Sequence, residues 1–129
     1  MHIIEAPVNT LLPCQSEVTE TLIRTLEECH RDGISLPPIP VVPRTPGIHD
    51  RELILPDGHH RAFLLASVLG RTSVFAEVYE NDDDILRARH GLLIFMKSHA
   101  QMVVAYDGEY GPAMVEQGIH DIRDLRVKL

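Results

Sequence analysis

Only two cysteines, Cys14 and Cys29, occur in the chain, fifteen positions apart and in no CxxC pair. That spacing excludes a zinc ribbon and leaves no disulfide framework, so both read as reduced thiols of a cytoplasmic protein. Long hydrophobic runs are missing too. The longest, Ala62 to Leu69, is broken by Ser67 and falls far short of a bilayer span, while Glu5 and Pro7 stand where a signal peptide needs an apolar centre. A membrane partner is therefore not expected. Positive charge is in short supply: 12 Lys and Arg face 19 Asp and Glu, a formal net charge of −7, so a nucleic-acid backbone would meet net repulsion. The nearest basic cluster, Arg123, Arg126 and Lys128, is too small for the roughly 6–10 phosphate contacts of a DNA-binding surface, which disfavours nucleic acid as a partner. There is no HExxH, no P-loop lysine motif, no GxGxxG and no GxSxG, which removes the common zinc-protease, NTPase, Rossmann and hydrolase readings.

What remains is a chain of 129 residues, 44% apolar and 24% charged, the profile of one soluble globular domain. It is read as a single domain over 1–129, with a core in 1–80 and a C-terminal extension over 81–129. A chain of this size buries roughly 65–70% of its unfolded surface, so neither a metal nor a disulfide is needed to hold it.

Along the chain, His2 to Glu5 is β-branched and closed by Pro7, which suits a strand, and Leu11-Leu12-Pro13 suits a tight exit loop. Ser16 as N-cap, with Val18, Leu22, Leu26 and Cys29 at helical spacing, predicts an amphipathic helix over 16–30 with Cys29 in the core. The prolines at 37, 38, 40, 43 and 46 predict a loop leading into an edge strand. Ile39 to Val42 and Glu52 to Leu55 form a hairpin-like pair. His59 to Leu69 is apolar on nearly every face, as in a short buried helix ending at Gly70, and Thr72 to Tyr79 alternates as a strand. Asp82, Asp83 and Asp84 cap a further helix. Leu92 to Met96 is a core run or the face of a homodimer. Asp107 to Gly111 is a turn by composition, Pro112 opens a short helix over 113–117, and the last ten residues fit helix and strand equally. The fold class is α+β: a small mixed sheet flanked by helices, with a helical C-terminal extension.

Chemistry concentrates where the second half of the hairpin runs through Leu55-Pro56-Asp57-Gly58-His59-His60-Arg61 into the buried helix. The first turn of a helix leaves unpaired N–H groups and about half a positive charge, which suits an anion. Gly58 permits close backbone approach. Arg61 adds a fork of donors for phosphate oxygens, each charge-assisted bond contributing roughly 1.5–3 kcal/mol. The acidity of the whole chain does not forbid this, since exposed charges beyond about 8 Å are screened. The bland alternative is that Asp57 caps the helix, Gly58 makes the turn and both histidines are surface polar groups. A metal site from His59, His60, Asp57 and His49 or Asp50 has poor geometry, because adjacent histidines on a helix project about 100° apart.

Leu12-Pro13, a helix ending near Gly33, Pro38-Ile39-Pro40-Val41, Asp57-Gly58-His59-His60-Arg61-Ala62, Leu69-Gly70 and a strand over Val74 to Val78 together resemble the ParB/sulfiredoxin superfamily over about Ile3 to Tyr79, but not over the last fifty residues. In that superfamily the matching turn holds nucleotide phosphates: ATP in sulfiredoxins, CTP in ParB proteins, ADP in free-serine kinases. The resemblance implies Gly58, His59, His60 and Arg61 as phosphate contacts, with ATP, ADP or CTP and Mg²⁺ as ligands. This chain departs from the pattern in three places. His59 occupies the position of the sulfiredoxin catalytic Cys, which disfavours sulfinic-acid reduction. His59 and His60 replace the ParB arginines. Gln15 stands where serine-kinase-like members carry a carboxylate, with Glu17 two residues on.

The functional expectation is binding of a phosphate-bearing small molecule, most simply a nucleotide, with phosphoryl transfer or hydrolysis as an extension. In that extension His60 serves as general acid or base, and Asp57 or Glu17 holds Mg²⁺ or accepts a proton. The alternatives are a non-catalytic anion-sensing or protein-docking module, and a ParB-like nuclease or DNA binder. All phosphate readings require amide hydrogens near Gly58 that the chain itself leaves free.

Overall fold

The computed structural model describes residues 2–87 and 98–129. The Leu92 to Met96 run, with His90 and Gly91, lies outside them. In chain order the elements are β1 (His2–Pro7), a 3-10 turn (Val8–Thr10), β2 (Leu11–Pro13), β3 (Glu17–Thr19), α1 (Glu20–Arg31), β4 (Ile39–Pro43), β5 (Leu53–Leu55) and α2 (His59–Phe63), whose helix widens into a π turn (Leu64–Val68). There follow β6 (Ser73–Val78), α3 (Asp82–Arg87), α4 (His99–Ala105), a second π turn (Tyr106–Tyr110), α5 (Gly111–Glu116), a 3-10 turn (Ile122–Asp124) and β7 (Arg126–Lys128). This is an α+β architecture built on a five-stranded mixed sheet in the order β1-β6-β4-β5-β2. β1 runs antiparallel to β6, β6 parallel to β4, β4 antiparallel to β5 and β5 parallel to β2.

Both faces of the sheet are covered, and alternation along the strands assigns the side chains. Val41, Leu53 and Leu55 enter one buried cluster with Ile23 of α1 and Ala62, Phe63 and Leu64 of the α2 region. Their neighbours Val42 and Ile54 point the other way, into a cluster with Tyr79, Ile85, Met102 and Tyr106 of the C-terminal helices. A period of two in a strand produces this division, and it accounts for β4 and β5 being buried at every residue.

Several expectations are corrected. Ile39–Pro43 is a central strand rather than the approach to an edge strand. It pairs with β6 over Ile39 to Val41 and with β5 at Val42 and Pro43, so neither neighbour runs the length of a ladder interrupted by proline. Leu11–Pro13 is not an exit loop; it forms the far edge of the sheet against Leu53–Leu55. The helix expected from Ser16 begins four residues later, with Thr19 as N-cap, because Glu17–Thr19 pairs in parallel with Arg126–Lys128. Ile23 is the inward side chain of α1 while Leu22 stays half exposed, and Cys29 is only partly buried rather than a core residue. Asp107 to Gly111 is helical, joining α4 to α5. Arg44 secures that junction: its guanidinium reaches Asp107 at 2.8 Å and Glu52 at 3.7 Å, and its Cζ lies 5.7 Å from the Tyr106 ring centre.

Removing residues 126–129 takes away the strand that pairs with β3 among the described residues. Amide exchange over residues 17–19 is expected to accelerate at least tenfold while the α2 region keeps its protection, as read by hydrogen–deuterium exchange. Equal protection in both chains would show that β7 does not hold β3.

Candidate functional site

β5 delivers the chain to the surface, where Gly58 turns it into α2 with φ 79° and ψ 22°. That left-handed conformation strains any other residue. A Cβ at this position would also lie 2.9 Å from Arg61 Nη2, since the guanidinium folds back over the glycine. The Gly58 amide is occupied: it donates to Asp57 Oδ1 at 2.7 Å. Ala62 is the first residue of the turn whose N–H finds a carbonyl, that of Gly58 at 3.0 Å. The amides of His59, His60 and Arg61 have no acceptor among the described residues, as the start of a helix dictates.

The side chains of the turn fasten it to three other segments. His59 is 3% exposed, and its Nε2 accepts the backbone N–H of Cys14 at 3.0 Å. A backbone N–H can only donate, so that nitrogen carries a lone pair and the ring is the neutral Nδ1–H tautomer. Burial pulls the His59 pKa down to about 4, with Asp57 pulling weakly upward and His60 adding to the downward shift. His60 is partly exposed, and its Nε2 accepts the Thr19 N–H at 2.9 Å. Its pKa is also lowered, first by burial and against the attraction of Asp57. Arg61 Nη1 donates to the carbonyls of Pro37 at 3.0 Å and Pro38 at 3.3 Å. Burial lowers its pKa too, opposed by Asp57, yet a guanidinium stays charged at any physiological pH.

Of the residues singled out from the sequence, Asp57, Gly58, His59, His60 and Arg61 are thus gathered in one turn. Glu17 sits on β3, where alternation places it on the same exposed face as Thr19, so its strand abuts the His60 ring. Its carbonyl accepts from Gln15 Nε2 at 2.8 Å. The bland alternative, with both histidines as surface groups, fails for His59, which belongs to the interior, while His60 is partly exposed. The two rings do not converge, since they take amides from different segments. His49 and Asp50 lie apart from the turn. His49 Nε2 pairs with Glu80 Oε1 at 2.9 Å, and its ring stands 5.0 Å from that of His2. No group of three or more His, Cys, Asp or Glu able to hold a metal exists among the described residues.

Sequence reasoning missed the partners: the amides of Cys14 and Thr19 and the carbonyls of Pro37 and Pro38. Backbone groups leave no mark in a sequence. The one available signal was an imidazole pair at the mouth of an apolar helix, which must find donors when it is buried.

No family model matches the chain, and no curated protein matches it. Among solved structures it is similar to sulfiredoxin from Arabidopsis thaliana, at a TM-score of 0.48 and 18% identity over 67% of this chain and 94% of that one. This is a fold-level likeness. No helix among the described residues is long and apolar enough to cross a membrane.

The neutral, buried His59 makes stability depend on pH. The unfolded chain binds a proton near pH 6.5, while the folded chain does so only near 4. Stability is therefore full above pH 6.5 and declines as the pH falls towards 4, by about 3 kcal/mol. His59→Gln, which keeps an acceptor and removes the titration, should flatten the slope relative to wild type in denaturant melts between pH 7.5 and 4. A ring titrating near 6.5 by NMR would overturn this account.

Proposed function

We propose that the chain binds a phosphate-bearing small molecule, a nucleotide in the simplest case, at the Asp57 to Arg61 turn. The observation that carries this reading is the row of three amides, His59, His60 and Arg61, left without acceptors beside a guanidinium. Donors fixed by the backbone need no rearrangement to meet phosphate oxygens. The pull of the turn on an anion comes from these amides and from Arg61, not from the imidazoles, both of which are neutral as hydrogen-bonded.

Binding rather than turnover is the primary activity in this reading. Both Nε2 atoms already accept backbone hydrogen bonds, so neither is free to take a proton, and the neutral His60 ring has only an Nδ1–H to offer, as a hydrogen-bond donor. If phosphoryl transfer or hydrolysis follows binding, the free bases are the carboxylates of Asp57 and Glu17. Mg²⁺ usually reaches such sites through one or two carboxylates together with substrate phosphates, which is compatible with Asp57. The ion would supply neutralisation of phosphate charge.

Asp57 discriminates between bare-anion and metal-assisted binding. Its carboxylate occupies the Gly58 amide and repels an incoming phosphate. Calorimetry with ATP, ADP, CTP and pyrophosphate is expected to give tighter binding to Asp57→Asn than to wild type without Mg²⁺; if Asp57 holds the ion, the order inverts when Mg²⁺ is added. Arg61→Gln, which removes the charge and keeps a side-chain amide, should weaken binding by about tenfold or more, in line with roughly 1.5–3 kcal/mol for a charge-assisted bond. Unchanged affinity in Arg61→Gln, with circular dichroism confirming its fold, would remove Arg61 from the site.

A further inference from the structure

A recess opens where the end of α1, the segment leading into β4, the edge strand β1 and its neighbour β6 meet. Its volume is about 500 Å³, within the usual range for small-molecule sites. Ile3, Ile34 and Phe75 line it and are 50%, 55% and 61% exposed, and Leu65 adds a buried wall. Three large apolar side chains left in water around one hollow exceed the scattered exposure of an ordinary surface. Arg71 also borders the recess, and its guanidinium has no hydrogen-bond or ion-pair acceptor among the described residues. His30 stands at the rim.

We propose that this recess binds a small carboxylate with an apolar body, such as an arylalkanoic or branched aliphatic acid. The apolar walls take the body. The planar fork of a guanidinium matches the two oxygens of a carboxylate in pairs. Two carboxylates stand on the same sheet face as Ile3 and Phe75, Glu77 opposite Ile3 and Glu5 opposite Phe75, and each already accepts a hydroxyl hydrogen bond, from Tyr79 and Ser73 respectively, so the preference for an acid rests on the Arg71 guanidinium outweighing them. The recess shares no residue with the Asp57 to Arg61 turn. Its wall at Pro37 and Pro38 is the segment that Arg61 holds, so the two sites adjoin through that segment.

The test is titration of the whole chain with phenylpropionate and with phenylpropanol, its neutral counterpart, followed by amide shifts in ¹H–¹⁵N NMR spectra. Saturable shifts are expected at Ile34, Arg71 and Phe75, with the acid binding about tenfold tighter than the alcohol. Arg71→Gln should abolish the difference between acid and alcohol while leaving the alcohol unchanged, and Phe75→Ala should weaken both. Both substituted side chains are exposed, so the fold should survive. Shifts scattered elsewhere, no saturation with either compound, or an acid preference that persists in Arg71→Gln would each overturn the proposal.

Discussion

The hydrogen bond from the Cys14 amide to His59 Nε2 is the constraint on which the turn depends. A buried imidazole with an unpaired nitrogen would cost roughly 1–3 kcal/mol, so the ring must sit where β2 offers its amide. That choice fixes the tautomer and the direction in which α2 leaves the sheet, while the accompanying burial lowers the pKa. Once the helix is aimed, the residue before it must take a left-handed conformation, Gly58 alone fits without strain, and Arg61 can fold back over it. His60 and Arg61 then repeat the device at Thr19 and at Pro37 and Pro38. Three successive side chains thereby anchor one turn to the edge strand, the head of α1 and the entry of β4.

The electrostatic character of the turn follows from this anchoring. Two imidazoles at the opening of a helix look like a cationic cluster when read as letters, but burial and backbone donors keep both uncharged. What is left is a directional field: three outstretched amides and one guanidinium, opposed by the Asp57 carboxylate. As the proposed anion site, the turn would distinguish ligands by where their oxygens lie more than by total charge. Its behaviour should also change little with pH above the range in which His59 titrates.

The sheet was legible because its strands carry local patterns. The alternation in Thr72 to Tyr79, the β-branched opening at His2 to Glu5 and the paired runs around Pro46-Gly47 each depend on neighbours in sequence. The errors fall where a distant segment decides. Glu17 to Thr19 has the composition of a helix start and becomes a strand because β7 lies beside it. Leu11 to Pro13 is short enough to pass for a loop until β5 supplies its partner. Asp107 to Gly111 reads as a turn on composition, yet it stays helical where Tyr106 is buried and Arg44 reaches across from the β4–β5 connection. The candidate site divides in the same way. Asp57 to Arg61 could be picked out as a candidate turn, while the anchoring role of His59 could not, because a ring that accepts from a main-chain amide forty-five residues away has no signature beyond its own letter.

The pairing of β3 with β7 also bears on how the chain is made. These strands lie side by side although more than a hundred residues separate them in sequence. On the ribosome, the leading turn of α1 and the Thr19 amide that meets His60 must wait, without their neighbouring strand, until the segment around Val127 has emerged. The sheet and its turn can assemble before residues 126–128 emerge, whereas the flank of that turn is sealed only once they do.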